Sequence, residues 1–74
     1  MTESRPFDAL NASIGEKVLV KLKGDKMVRG TLKAFDVHLN IILEDAEELN
    51  ENNEAKSKHS KLMLRGDSVI SIAL

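Results

Sequence analysis

Phe35-Asp36-Val37-His38-Leu39-Asn40 is a polar corner set between two runs that read as β-strand. Before it, Val28, Gly30, Leu32 and Ala34 alternate with Met27, Arg29, Thr31, Lys33 and Phe35; after it come Ile41, Ile42 and Leu43. Period-two alternation and β-branched residues mark both flanks as strand, which makes the corner a connection between neighbours in a sheet. Aspartate and glycine suffice for a turn. A histidine and an asparagine at the exit supply a flat π surface and an amide that both donates and accepts, more than chain reversal requires.

Arg65-Gly66-Asp67 is a second polar corner, after Lys61-Leu62-Met63-Leu64 and before Ser68-Val69-Ile70-Ser71-Ile72. Outward from the two corners the rest of the chain falls into place. Residues 17–23 read as a first strand, with Val18, Val20 and Leu22 on one side and a row of lysines, Lys17, Lys21 and Lys23, on the other. Lys23-Gly24-Asp25-Lys26 then makes a hairpin turn. Gly30, inside the second strand, permits a sharp bend or the close approach of another backbone. The third strand is expected from Asn40 to about Glu47, emerging into solvent where Ile41-Ile42-Leu43 gives way to acids. Asn50 to Lys56 is a polar loop. A fourth strand is expected from about Ser57 to Leu64 and a fifth from Ser68 to Ala73, with Ile70, Ile72 and Leu74 sharing a face. At the amino terminus, Thr2 or Ser4 caps a short helix with Pro6 in its first turn. Phe7, Leu10 and Ile14 form its apolar face and Gly15 ends it. Such a helix is too short to stand alone and must pack across an open face of the sheet.

At 74 residues the chain is read as a single domain, 1–74, with a small core. Small domains add disulfides, a metal or partners. There is no cysteine, and His38 and His59 are the only imidazoles, so association is the remaining device. No run approaches the roughly 20 apolar residues that span a bilayer, and the polar start does not resemble a secretory signal, so a cytoplasmic chain is expected. Net charge is −1, which announces no nucleic acid. Its distribution is uneven: Lys17, Lys21, Lys23, Lys26, Arg29 and Lys33 precede an acidic run from Glu44 to Glu54. That pattern fits a solvated antiparallel surface as well as a cationic face.

Taken together, the two corners resemble the signatures of the Sm-like (Lsm) family, in its archaeal, self-associating form. The first signature is matched from Lys17 to Glu48, including Gly30 and Asp36-Val37-His38-Leu39-Asn40, and the second from Met63 to Ile70. Arg5-Pro6-Phe7-Asp8-Ala9-Leu10 resembles the family's opening helix. The resemblance implies a mainly β fold: a short amino-terminal helix, then a five-stranded, strongly bent antiparallel sheet forming a small open barrel of SH3-like kind. It also implies a homo-oligomer, commonly a heptameric ring, because the uncharged fifth strand is an edge built to be paired. Two positions depart from the family: Ser71 stands where an aromatic or bulky residue is common, and Phe35 where tyrosine is common.

By the same resemblance His38, Asn40 and Arg65 of each copy face the central hole and hold one base of uridine-rich single-stranded RNA. Stacking between an imidazole and a guanidinium supplies affinity without choice. Choice falls to Asn40, whose oxygen accepts N3–H of uracil while its NH₂ donates to O4. A flipped amide suits cytosine, so something must pin it. The expected pin is Asp67, beside Gly66, since a carboxylate only accepts; Asp36 is expected to fix the loop by bonding backbone N–H groups. No catalytic set, cofactor or metal is expected. Read singly, His38 is a turn residue, Asn40 a strand entry and Gly66-Asp67 a hairpin. The competing reading is a small β-barrel interaction module that binds no RNA, and the base-binding set is what separates the two.

Overall fold

The computed structural model describes residues 6–74. The expected cap at Thr2 or Ser4, and Arg5, lie outside the described residues. A helix, α1 (Pro6–Ala12), leads into five strands: β1 (Lys17–Leu22), β2 (Lys26–Phe35), β3 (Ile41–Leu49), β4 (Ala55–Leu64) and β5 (Val69–Ala73). They form one antiparallel sheet in the order β4-β3-β2-β1-β5, so β4 and β5 are its edges.

The alternation that marks β1 and β2 becomes burial. Val18, Val20, Leu22, Val28 and Leu32 are buried while Lys17, Lys21 and Arg29 are exposed. The turn between the two strands puts Gly24 at φ 80° and Asp25 at φ 59°, both left-handed, as a tight hairpin requires. Gly30 sits where β2 passes the bulged part of β3. A methyl group there would lie 3.1 Å from the Cα of Ala46 and 3.2 Å from the carbonyl oxygen of Glu44, so the bend depends on a bare Cα. Beside it the β2–β3 register shifts between Arg29 and Thr31, and Asp45 takes φ 51°. Bulges of this kind sharpen the local twist and curl one sheet around its own core.

Gly15, at φ 89°, stops the helix and returns the chain to the sheet. Its N–H donates to the Leu32 carbonyl at 2.8 Å, and the Leu32 N–H donates back to Glu16 at 2.9 Å. The helix is thereby held at the end of β2 that leads to the first corner. Leu10 enters the core, and the Phe7 and Phe35 rings meet with centroids 5.4 Å apart. Residues that are distant in sequence complete the interior: Ile41, Leu43, Ala46 and Leu64.

Three expectations are corrected here. The third strand does not emerge into solvent at its acids but runs on to Leu49, with Ala46 and Leu49 buried. Its acids are answered from both sides: Arg29 Nη2 lies 2.8 Å from Glu47, Lys58 3.7 Å from the same carboxylate, Lys33 3.8 Å from Glu44, and His59 Nε2 3.0 Å from Glu48. Part of the charge segregated along the sequence is thus paired where β2, β3 and β4 align, while Lys17, Lys21, Lys23 and Lys26 stay exposed. Strand β4 begins at Ala55 rather than Ser57. In β5 the register against β1 shifts between Lys21 and Leu22, leaving Ile70 between the paired Val69 and Ser71. Val69 and Ile72 turn toward the core while Ile70 is 58% exposed, so Ile70 and Ile72 do not share a face.

Candidate nucleic-acid interface

The first corner is an Asx turn. Asp36 Oδ1 accepts the backbone N–H of His38 at 2.9 Å and of Asn40 at 3.0 Å, while Leu39 N–H donates to the Asp36 carbonyl at 3.0 Å. The turn between β3 and β4 is built the same way. Asn50 Oδ1 accepts from Asn52 N–H at 2.9 Å and Glu54 N–H at 3.0 Å, and Asn53 N–H donates to the Asn50 carbonyl at 3.0 Å. Even the left-handed residue recurs, Leu39 at φ 60° and Asn53 at φ 62°. Asparagine adopts that conformation readily, whereas a leucine is held there against its preference. The second turn reverses the chain without a histidine, so His38 is not required by the reversal.

What sets the first corner apart is its connection to the second. Asn40 Nδ2 donates to Asp36 Oδ2 at 2.9 Å, and Asn40 Oδ1 accepts the backbone N–H of Gly66 at 2.9 Å. Gly66 opens a single 3-10 turn, Gly66–Ser68, that follows Arg65. The backbone of the first corner crosses directly over its Cα. A methyl group on Gly66 would collide with the His38 carbonyl oxygen and lie 2.9 Å from the His38 carbonyl carbon and 3.0 Å from that of Leu39. Glycine is therefore a steric condition for the two corners to meet.

Around this junction His38, Asn40, Arg65, Gly66 and Asp67 line one open cavity of about 520 Å³. The expected residues converge, with one role exchanged. Asp67 does not hold the amide of Asn40: its carboxylate lies 3.1 Å from Arg65 Nη2, and 3.5 Å from the Ser68 hydroxyl. Asp36 holds the amide instead, besides fixing the turn. A carboxylate does pin the amide, as acceptor-only chemistry requires, but it is the acid within the same turn, and its signal is local: an aspartate four residues before an asparagine. The Gly66 N–H carried no side-chain signal at all.

Electrostatics follows the hydrogen bonds. The Asp36 carboxyl is held below its ordinary pKa, chiefly by the Asn40 side-chain N–H and with the help of the backbone N–H groups of Asn40 and His38, which together outweigh the opposing cost of desolvation. It is thus an acceptor throughout the neutral range. The Arg65–Asp67 pair is exposed, 77% and 64% by side chain, and stabilises the fold little.

A model of the LSM domain matches residues 8–74. A Methanosarcina acetivorans chain described as an snRNP Sm-like protein is 43% identical over 70 residues, covering 95% of this chain and 96% of its own. Among solved structures, an Sm protein of Pyrococcus abyssi in complex with a uridine heptamer superposes with a TM-score of 0.90 at 38% identity, over 95% of this chain and 97% of that one. A heptameric archaeal Sm protein superposes with a TM-score of 0.80 at 43% identity, over 88% and 93%. With the helix, the bent five-stranded sheet and the joined corners in place, these likenesses assign the chain to the Sm-like (LSM) family.

Proposed function

We propose that the chain closes into a ring and binds uridine-rich single-stranded RNA at the central hole, one base per copy, as a non-catalytic scaffold or chaperone of RNA processing in the cytoplasm. Residues 1–74 act as a single Sm-like domain. Pairing of the free edge of β4 with β5 of the next copy closes the ring, and the heptameric relative makes seven the expected number of copies. The uridine heptamer on the related Pyrococcus abyssi protein supports the choice of ligand.

The observation that carries this reading is the fixed orientation of the Asn40 amide. An N–H that only donates sits at its oxygen, and a carboxylate that only accepts sits at its nitrogen. Rotating the amide by half a turn would place donor against donor and acceptor against acceptor. The remaining lone pair on Oδ1 and the remaining hydrogen on Nδ2 are left for a base. Uracil presents N3–H and O4, which match; cytosine presents a bare N3 and an N4 amino group, which oppose. By analogy with other paired hydrogen-bond readouts the difference is about 1–3 kcal/mol per base. His38 and Arg65 supply the stacking planes, Asp67 steadies Arg65, and Gly66 supplies the donor that locks the amide.

Fluorescence anisotropy with labelled oligouridine and oligocytidine, on protein whose native mass has been measured, tests the proposal. Tight, uridine-preferring binding by an assembled ring is the expected result. An assembled ring that binds neither oligomer would favour the interaction-module reading.

A further inference from the structure

Lys17 and Lys21 in β1, and Lys23 just past its end, lie in a row on the face opposite the buried Val18, Val20 and Leu22, and all three are exposed. Strand order decides what surrounds them. β1 sits between β2 and β5, and neither neighbour carries an acid. The acids Glu44, Glu47 and Glu48 lie one strand farther off, on β3, and are taken by Lys33, Arg29, Lys58 and His59. Among the described residues no carboxylate comes within ion-pair distance of any lysine of the row, and Glu16 and Asp25 stand just beyond its two ends. On the β5 side Lys21 is opposite Ser71 and Leu19 opposite Ala73, small side chains that put no bulk beside the row.

The row begins at the base cavity. Lys23 N–H donates to the carbonyl of Ser68 at 3.0 Å, and Ser68 follows Asp67, which lines that cavity with Arg65. Strand β5 then runs back along β1, Val69 opposite Leu22 and Ala73 opposite Leu19, so Lys21 and Lys17 lie progressively farther from the corner. At the rise of an extended strand, Lys21 is about 7 Å beyond Lys23 and Lys17 roughly 13 Å beyond Lys21. A nucleic-acid strand that leaves a base cavity on this side meets one cation after another with no acid between them. No residue of β1 or β5 is aromatic, so a base finds nothing to stack on and the contact reads charge rather than sequence.

We infer that Lys23, Lys21 and Lys17 form a track for the phosphate backbone of RNA that extends beyond the bases held in the cavities. This inference rests on the function proposed above and adds to it a second, sequence-independent mode of binding. Uridines then choose the place, and flanking RNA of any sequence adds affinity through its phosphates.

Fluorescence anisotropy with two labelled strands tests the track: a uridine oligomer with one base per copy, and the same oligomer flanked on both sides by about ten cytidines, which bring phosphates without matching the cavities. At low salt the flanked strand is expected to bind the unaltered ring at least about tenfold more tightly, and the gain should fade with salt at a slope of about 0.7 per phosphate contact. Lys21→Gln/Lys23→Gln, assembled by native mass, should lose most of that gain while its affinity for the bare oligomer stays within about twofold. Lys21→Arg/Lys23→Arg should keep the gain, since the charge is retained. Lys56→Gln/Lys61→Gln, which makes the same change of net charge on β4, should keep it as well. Equal loss from the two glutamine pairs would reduce the effect to net charge and overturn the track. Equal affinity of the unaltered ring for bare and flanked strands also overturns it and leaves the base cavities standing; polyglutamate binding that is lost in Lys21→Gln/Lys23→Gln would then assign the row to an acidic protein segment. A ring that binds neither strand overturns the track together with the function on which it rests.

Discussion

The side chain of Asn40 and the backbone N–H of Gly66 are joined by a 2.9 Å hydrogen bond across 26 residues of sequence. That bond makes two local turns into one site: it holds the corner that carries His38 against the corner that carries Arg65. It also consumes one lone pair of the amide oxygen and leaves the other directed at the cavity. A single contact therefore bears on the fold and, in the function proposed above, on base choice.

Gly66→Ala should break this junction. The added methyl meets backbone of His38 and Leu39, which cannot swing away as a flexible side chain would. Thermal unfolding should register a loss of about 1–3 kcal/mol, typical of overpacking, and oligouridine affinity should fall with it. Unchanged melting and binding would mean that the two corners are not in fact pressed together.

Exchanging acids separates their two roles. Asp36→Asn replaces an acceptor-only group with one that also donates, so the opposite amide orientation of Asn40 becomes available and cytidine should gain on uridine. Asp67→Asn should weaken binding of both oligomers by freeing Arg65, with their ratio preserved. A shift in the ratio from Asp67→Asn but not from Asp36→Asn would reverse the assignment made here.

Much of this molecule is legible from local pattern, and what is not has a common cause. Strands β1 and β2 and the turn between them follow from alternation and from Gly24-Asp25, because their determinants lie within a few residues. The course of β3 does not. Read alone, Glu44, Glu47 and Glu48 announce solvent; the cations that keep them in the sheet come from β2 and β4 and appear only once the strands are aligned. The position of Ile70 is set by a register shift between β5 and β1, which is a property of a pair of strands. In the site the residue types were legible and the partnership of Asn40 was not, since the choice between Asp36 and Asp67 depends on how two corners meet.

Acid should unlock the site late. Asp36 ionises more readily folded than unfolded, so its contribution to stability is complete above its unfolded pKa and disappears as pH falls through the lower folded value. Glu47, held down chiefly by Arg29, and Glu48, chiefly by His59, act in the same direction. Melting temperature should thus begin to decline only as pH drops into the ordinary carboxylate range near 4 and below. The stability difference between the native protein and Asp36→Asn should be constant above that range and shrink beneath it. A difference that vanished already at neutral pH would show that Asp36 is not held as described.

Bend and site are separable. Gly30 faces backbone of the β3 bulge, with Ala46 Cα and Glu44 oxygen a little over 3 Å from any added Cβ. Gly30→Val should cost roughly 1–3 kcal/mol of stability by overpacking. Rings that still assemble should keep the uridine-over-cytidine ratio, because no residue of the base cavity touches this bend. Loss of preference in an intact ring would reveal coupling between the two.

Affinity should depend on RNA length more steeply than any one cavity explains. Each cavity offers a base two stacking planes and a pair of hydrogen bonds while open to solvent, so a single uridine nucleotide should bind weakly. A strand that reaches from one copy to the next makes every further engagement intramolecular, at an effective concentration in the millimolar range for short connections. Titrating oligouridines of increasing length against a ring of known mass should show affinity climbing with each added site until the number of bases matches the number of copies, then levelling. Arg65→Ala removes a stacking plane and a charge from every copy at once, so it should flatten the climb and also reduce the salt dependence. His38→Ala removes the other stacking plane from every copy, so it too should flatten the climb. An affinity that rises merely in proportion to the number of binding registers on the oligomer would mean that the cavities act independently, and the ring would then need another purpose.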